Sequence, residues 1–260
     1  MRDDPLRTAV HPEPAPSGRA IFIDKDGTLV EDIPNNVDPA KLRFTPRAIE
    51  GLRLLADNGY RLMVVTNQPG LAYGMFSRLE HSRLRNALGA TLESAGVHLT
   101  DFYTCPHAPA PGKLASGCLC RIPSPGLLRQ AARKHGLDLA RSWMIGDLLD
   151  DVEAGRRAGC RTVLLDVGSE SEWRLSPLRT PHCRAGDLLQ AAQAILECDS
   201  QDGDERMRRA AQAEQEQEQT VAATHGPLRR SATQAAAALQ AAMSLSRFAK
   251  NNTKPPVGVL

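Results

Sequence analysis

Short apolar runs, each followed by polar residues, recur between residues 20 and 197. Four runs have the length and composition of buried strands: residues 20–24, 61–66, 142–145 and 161–165. Five further segments have the composition and spacing of helices: residues 47–58, 77–95, 126–135, 150–158 and 186–197. Alternation of the two element types predicts an α/β fold, with a doubly wound, mainly parallel sheet covered on both faces.

The first apolar run ends in two carboxylates separated by one residue. Asp24 and Asp26 project to the same side of an extended strand end, and Gly27 allows a sharp turn after them. One carboxylate can attack an electrophile while the other handles its proton, with a divalent cation offsetting their charge. The same pattern also occurs in surface turns and calcium-binding loops, so the motif alone leaves phosphoryl chemistry open.

Two further strand ends carry groups suited to the same chemistry. The second predicted strand runs into Thr66, Asn67 and Gln68, whose hydroxyl and amides can hold a phosphate. The third ends just before Asp147, with Asp151 four residues further on. Because the carboxyl ends of parallel strands meet at one edge of a sheet, we expect these side chains to form one site.

Four metal-binding side chains occur as two close pairs, Cys105 with His107 and Cys118 with Cys120. The Gly- and Pro-containing segment between the pairs can fold a short loop around one tetrahedral ion. Because all four positions are filled by the protein, the predicted zinc is structural and does not activate water. A disulfide or incidental core cysteines are the alternatives, but the polar N-terminal residues do not resemble a secretory signal.

These motifs resemble those of the haloacid dehalogenase superfamily of phosphohydrolases, over residues 19–197. Within it, the chain is similar to the D-glycero-D-manno-heptose 1,7-bisphosphate phosphatases and the related histidinol phosphatases. The resemblance implies a Rossmann-like fold and a Mg²⁺-dependent phosphomonoesterase that works through a phosphoaspartyl intermediate. The short segment between the first strand and its helix leaves room for a flap, but not for a cap domain.

The resemblance also implies a role for each acid. Asp24 is the expected nucleophile, and Asp26 is the expected proton donor to the leaving group and activator of water. The Mg²⁺ ligands are expected to be Asp24, the backbone carbonyl of Asp26, and Asp147, with Asp151 helping to place the metal. Thr66 and Asn67 are expected to hold the transferring phosphoryl oxygens.

The loop after the zinc ligands departs from the related phosphatases. Arg121 follows the last predicted ligand and can reach a substrate phosphate, although a solvated arginine is the alternative. The related enzymes continue with Lys-Pro, whereas this chain has Ile122, and Tyr73 stands where they carry an arginine. Lys113 or Lys25 can replace the missing charge electrostatically. We therefore expect low activity.

Three functions remain open at this point. They are a D-glycero-D-manno-heptose 1,7-bisphosphate 7-phosphatase, a phosphatase for another small phosphomonoester such as histidinol phosphate, and a non-catalytic phosphate-binding protein. An enzyme is favoured over the third function by the presence of the complete motif set, which comprises Asp24, Asp26, Thr66, Asp147 and Asp151. No P-loop or dinucleotide-type glycine loop occurs, which argues against a kinase or a dehydrogenase.

Composition divides the 260 residues into three predicted regions. These are a disordered lead-in (1–18), the phosphatase domain (19–198) and a low-complexity, mostly disordered tail (199–260) that can be transiently helical. The net charge of +2 and the 4% aromatic content give no indication of nucleic-acid binding. No apolar run approaches the ~18 residues that a membrane crossing needs. We expect a cytoplasmic monomer whose partner is a small phosphorylated substrate.

Overall fold

The structure is a computed structural model that describes residues 18–109 and 118–249. Most of the predicted lead-in, the central part of the loop between the two Cys/His pairs, and the last residues of the tail lie outside the described residues. Lys113, proposed from the sequence as a substitute cation, also lies outside them.

A single six-stranded sheet organises the first part of the chain, with strand order β3-β2-β1-β4-β5-β6 and parallel pairing throughout. The strands are β1 Ala20–Asp24, β2 Arg61–Asn67, β3 Leu99–Cys105, β4 Trp143–Gly146, β5 Arg161–Leu165 and β6 Cys183–Ala185. The α-helices of the described ranges are α1 Ala48–Asp57, α2 Arg78–Ser94, α3 Gly126–His135, α4 Leu149–Ala158 and α5 Leu188–Ala249. The predicted doubly wound α/β fold is confirmed.

Strand β1 lies at the centre of this sheet and is buried on both faces. Ile21 and Ile23 pack in a cluster with Leu52 of α1 on one face. Phe22 packs with Leu128 of α3 on the other face. This two-sided burial explains why β1 is a continuous apolar run, and it fixes the position of the carboxylates at its end.

The sheet has two more strands than the sequence indicated. The additional strands are β3, which spans seven residues, and β6, which spans three. In β3, polar residues such as Asp101 interrupt the apolar run, and β6 is too short to give a periodic signal. Both are edge strands, so less of each has to be apolar.

The segment between β1 and α1 contains no inserted domain. It holds a short 3-10 helix, Pro39–Lys41, and isolated bridges that join Val30 to Asp26 and to Phe44. The predicted flap with little or no cap is therefore confirmed, and the carboxyl edge of the sheet stays open.

Helix α5 begins in the predicted closing helix and continues far beyond it. Leu188 and Ile195 are buried in the core, and the chain divides into two units between Cys198 and Asp199. The sequence predicted a mostly disordered tail, but the structure differs and continues as helix to Ala249. Ala, Gln, Glu and Arg favour helix locally, which explains a helix whose described side chains beyond residue 199 are exposed.

Length alone does not make α5 a membrane segment. Among the described residues, no helix is both long enough and apolar enough to cross a bilayer. The Gln- and Glu-rich sequence of α5 accounts for this result.

Candidate active site

Three carboxylates from two distant parts of the sequence meet at the carboxyl edge of the sheet. Oxygens of Asp24, Asp147 and Asp151 lie within 4.8 Å of one another. Asp24 ends β1, Asp147 directly follows β4, and Asp151 lies in the first turn of α4. Because β1 and β4 are paired neighbours, with Ile23 opposite Ile145, their ends lie side by side.

Two glycines allow the acids to approach the backbone this closely. Gly27 has a φ of +82°, and a Cβ at that position would lie 2.2 Å from Oδ2 of Asp147. A Cβ on Gly146 would lie 2.2 Å from Cβ of Asp151. Any side chain at either position would displace one of the acids.

The acids carry the electrostatic signature of a cation site. Burial raises the pKa of Asp24 well above its usual value, and the charges of Asp151, Asp26 and Asp147 raise it further. Burial and the charge of Asp147 likewise raise the pKa of Asp151. Three acids in this environment can all be ionised only if a cation offsets their charge, and oxygen donors suit a hard divalent ion.

Two hydrogen bonds orient the acids. The Thr28 hydroxyl donates to Oδ1 of Asp147 over 2.9 Å, and the backbone N–H of Leu148 donates to Oδ2 of Asp151 over 3.2 Å. The role of Thr28 was missed by the sequence analysis. Its partner lies 119 positions away, so no local pattern could have revealed the contact.

Asp26 lies beside this cluster and is held through both carboxylate oxygens. Lys25, which is buried, forms an ion pair with Oδ1. Nε2 of Gln68 donates to Oδ2 of Asp26 over 2.8 Å and to Oγ1 of Thr66 over 3.1 Å. Gln68 was predicted to bind phosphate, but both of these hydrogen bonds are to protein groups.

Asn67 connects the end of β2 to the Cys/His loop. Its Nδ2 donates to the carbonyl of Ile122 over 3.0 Å, and its Oδ1 accepts from the N–H of Ile122 over 3.0 Å. Asn67, which was predicted to bind phosphate, therefore also holds Ile122 in place through two hydrogen bonds. Ile122 itself is buried, packs in an apolar cluster and lines the cleft.

The four predicted zinc ligands come together. Cys120 Sγ lies 3.2 Å from His107 Nδ1 and 3.4 Å from the sulfurs of both Cys105 and Cys118. Cys105 Sγ lies 3.6 Å from both His107 Nδ1 and Cys118 Sγ. Tetrahedral ligands with ~2.3 Å metal–sulfur bonds are separated by about 3.7 Å, so these contacts match the size of a single zinc site.

The thiols of this cluster differ in acidity. Burial raises the pKa of Cys105 to about 12. Burial also opposes ionisation of Cys118, but hydrogen bonds from Cys120 outweigh it and lower the pKa to about 7. Cys118 is therefore the most readily ionised of the three thiols, and a bound metal would favour the thiolate form of all three.

The predicted catalytic acids line a cleft of about 1050 Å³. Thr66, Asn67, Gln68 and Arg121 also line it. Nη1 of Arg121 donates to the carbonyl of His107 over 3.4 Å, which links this cation to the Cys/His loop. All the predicted catalytic and phosphate-binding side chains therefore share one cleft.

One wall of the cleft was not predicted. Arg179, from the loop between β5 and β6, pairs with Asp150 and donates through Nε to Oε2 of Glu153 over 2.7 Å. Arg157 Nη2 lies 2.5 Å from Oε1 of Glu153. No motif in the sequence marks this wall, because its charges come from separate segments. Tyr73, the other departure, is exposed and does not line the cleft.

The chain is similar in sequence to several heptose bisphosphate phosphatases. The HAD-hydrolase-like family model matches residues 119–191. The D-glycero-beta-D-manno-heptose-1,7-bisphosphate 7-phosphatase of Pasteurella multocida is 38% identical over 152 residues, which cover 58% of this chain and 83% of the relative. The corresponding alpha-anomer enzyme of Photorhabdus laumondii is 34% identical over 153 residues, covering 58% and 84%.

The chain is also similar to solved structures of HAD-like phosphatases. The D,D-heptose 1,7-bisphosphate phosphatase of B. bronchiseptica, complexed with magnesium and phosphate, matches with a TM-score of 0.58 and 28% identity. The match covers 69% of this chain and 98% of that one. A putative HAD-like phosphatase from Mesorhizobium loti matches with a TM-score of 0.59 and 30% identity, over 69% and 88%.

Proposed function

The chain belongs to the heptose 1,7-bisphosphate phosphatase family of HAD-like hydrolases, and from this premise we propose that it removes the 7-phosphate of D-glycero-D-manno-heptose 1,7-bisphosphate. The observation that carries the proposal is the convergence of Asp24, Asp147 and Asp151 at one strand edge, beside Asp26. The relatives include enzymes for both anomers, so the proposal names the sugar and not the anomer.

The reaction begins at Asp24. Its carboxylate attacks phosphorus in line, and the bond between phosphorus and the sugar oxygen breaks. Thr66, at the end of β2 in the same cleft, holds the phosphoryl oxygens. Asp26 gives its proton to the departing sugar oxygen, and then removes a proton from the water that hydrolyses the phosphoaspartate.

The acid cluster fits a magnesium ion. The ion would be held by Asp24, the backbone carbonyl of Asp26, and Asp147, with Asp151 helping to place it. When bound, the cation offsets the repulsion between these carboxylates and the phosphate dianion. The raised pKa values of Asp24 and Asp151 support this assignment, because burial and the charges of neighbouring carboxylates both make a cation favourable at this position.

The Cys/His cluster fits a structural zinc ion. Cys105, His107, Cys118 and Cys120 would hold it, with no ligand position left for water. Its role would be to order the loop that carries Arg121 and Ile122 into the cleft. The paired hydrogen bonds between Asn67 and Ile122 support this role, since they join the loop to β2.

The size of the cleft and the three arginines in its lining support a substrate with two phosphates. Arg121, Arg157 and Arg179 all line it, and Arg157 and Arg179 also form ion pairs with Glu153. Histidinol phosphate is the alternative substrate, and the carboxylates Asp150 and Glu153 in the same wall are the observation that favours it, because they suit a cationic amine.

The deciding experiment is a substrate panel assayed with Mg²⁺. We expect kcat/KM for heptose 1,7-bisphosphate to exceed that for heptose 7-phosphate and for histidinol phosphate by about tenfold or more, since one well-placed charged contact contributes ~1.5–3 kcal/mol. Preference for histidinol phosphate would select the alternative. If the protein binds phosphate but hydrolyses none of the compounds, it is a non-catalytic phosphate-binding protein.

The quaternary state and location follow the same proposal. We propose a monomer that acts in the cytoplasm on a diffusible sugar phosphate, with residues 19–198 as the catalytic domain. Sedimentation of the full chain as a dimer, or localisation of the protein to another compartment, would contradict this part of the proposal.

A further inference from the structure

Gln68 joins Asp26, the proposed proton donor, to Thr66, the proposed ligand of the phosphoryl oxygens. Its amide nitrogen lies 2.8 Å from Oδ2 of Asp26 and 3.1 Å from Oγ1 of Thr66. A primary amide has two N–H groups, so one nitrogen can serve both acceptors. The side chain is buried, with the residue only 5% exposed, which places this bridge at the floor of the cleft.

The bridge is built on a rigid base. Gln68 directly follows β2, and its backbone N–H donates to the carbonyl of Cys105, at the end of β3, over 2.8 Å. The carboxyl ends of two paired strands therefore fix its position. A glutamine held in this way can orient a neighbouring carboxylate with little freedom of its own.

We propose that Gln68 is a positioning residue for proton transfer by Asp26, and this inference rests on the proposed function. Lys25 holds Oδ1, while Gln68 holds Oδ2 and also donates to Thr66. A carboxylate oxygen has two lone-pair directions, so the bond from Gln68 leaves one direction on Oδ2 for the reacting proton.

The proton balance is that of the hydrolysis itself. Asp26 transfers one proton to the sugar oxygen as the phosphorus–oxygen bond breaks, and the Asp24 carboxylate takes over phosphorus. Asp26 then accepts one proton from the attacking water, which restores both acids. Gln68 exchanges no proton in either step and acts only through the direction of the Asp26 carboxyl group.

The role can be tested with leaving groups that differ in their need for a proton. A sugar alkoxide is a poor leaving group and needs a proton donor, whereas p-nitrophenolate is a stable anion and leaves without one. In Gln68→Met, which keeps the length of the side chain but removes the amide, we expect kcat/KM for the sugar phosphate to fall about ten- to hundredfold. For p-nitrophenyl phosphate, we expect it to fall less than about threefold.

Comparing the loss of kcat/KM for the sugar phosphate with the loss for p-nitrophenyl phosphate distinguishes a positioning role of Gln68 from a phosphate-binding or purely structural role. Both compounds carry the same phosphoryl group, so a phosphate-ligand or purely structural role would lower kcat/KM for both equally and would overturn the inference. Gln190→Met is the matched control, because Gln190 accepts from the N–H of Gly186 away from the cleft, and both rates should stay unchanged.

Two further variants test the role of Gln68 in addition to Gln68→Met alone. Gln68→Asn keeps the amide but is one methylene shorter, and should show the same substrate-selective loss. In an Asp26→Asn background, Gln68→Met should add almost nothing for the sugar phosphate, because its effect passes through Asp26. Full additivity would overturn the role, and a wild-type protein inactive on both compounds would overturn the proposed function with it.

Discussion

The acid cluster and the Cys/His cluster are both candidate metal sites, but they are assembled in opposite ways. Asp24, Asp147 and Asp151 come from separate elements that a buried sheet brings together. Cys105 and Cys120 belong to two short pairs at the ends of one loop. The first site is held by the buried sheet, whereas the second lies on a loop that joins the sheet through Cys105 of β3 and through the hydrogen bonds between Asn67 and Ile122.

This difference predicts opposite energetic roles for the two metals. The buried sheet holds the acids together, and burial with the charges of neighbouring carboxylates raises the pKa values of Asp24 and Asp151, so the proposed cation would stabilise this site. The Cys/His loop would gain order from the bonds to the proposed zinc, as other small structural zinc sites do. Removing a ligand should therefore relieve strain in the first site and abolish order in the second.

The largest expected effect is that of Asp24→Asn. Turnover should fall by about 10⁴-fold or more, because the nucleophile is lost. The melting temperature in metal-free buffer should stay the same or rise, because one of several mutually repelling charges is removed. Initial rates and thermal unfolding measure the two effects.

Asp32→Asn is the matched control for that substitution. Asp32 lines the same cleft, and burial together with the charge of Asp26 raises its pKa, but it is not part of the acid cluster. Activity should remain within a few-fold of wild type. Two results for Asp24→Asn would contradict this view of the acid cluster. Wild-type turnover would show that Asp24 is not the nucleophile, and unfolding at room temperature would show that the fold depends on its charge.

The second largest effect concerns Cys118→Ser. Loss of one ligand should reduce bound zinc from one ion per chain to well below one, and lower both activity and melting temperature, because Arg121 and Ile122 lose their support. Elemental analysis and thermal unfolding measure the result. Cys198→Ser, at a cysteine outside the cluster, should retain the metal. Equal zinc content in both variants would contradict the proposed ligand set.

Ile122 lies where the two regions meet, so a charge at this position tests their connection. Ile122→Lys should raise turnover by about ten- to hundredfold, because a cation at the transferring phosphoryl group stabilises the transition state. It should also lower the melting temperature, because Ile122 is only 4% exposed and packs among apolar side chains. Ile122→Met supplies the uncharged control. If wild-type turnover is already high and Ile122→Lys gives no gain, Lys25 or another residue supplies the charge.

The smallest effect is expected from removal of the tail, because every residue assigned to the two sites precedes it in the sequence. A chain ending at residue 198 should retain the activity and melting temperature of the full chain. A chain ending at residue 190 should unfold, because it also loses Ala191, Ala192 and Ile195, all fully buried. A large loss in the longer truncation would show that the tail stabilises the domain or forms an oligomer contact.

The sequence predicted the parts of the site that have local signals. Asp24 and Asp26 follow a two-sided apolar strand, and the cysteine pairs carry their own spacing. Thr28 and Gln68 obtain their roles from contacts made only after the strands pair, so pattern alone could not assign them. Strand β6 was missed because three residues are too few to show a periodic pattern. The tail helix was missed because its residues favour helix but offer no apolar face to pack, so composition could not distinguish a stable helix from a transient one.

The wall that contains Arg179 has a different consequence. Arg179 belongs to the long loop after β5 and contacts Asp150 and Glu153 through its charge, not through the apolar core. Residues of this kind can change during evolution without disturbing the nucleophile or the sheet beneath it. A library randomised at Ser169 and Arg179, both of which line the cleft, is therefore the natural starting point for redirecting this phosphatase to new phosphate esters.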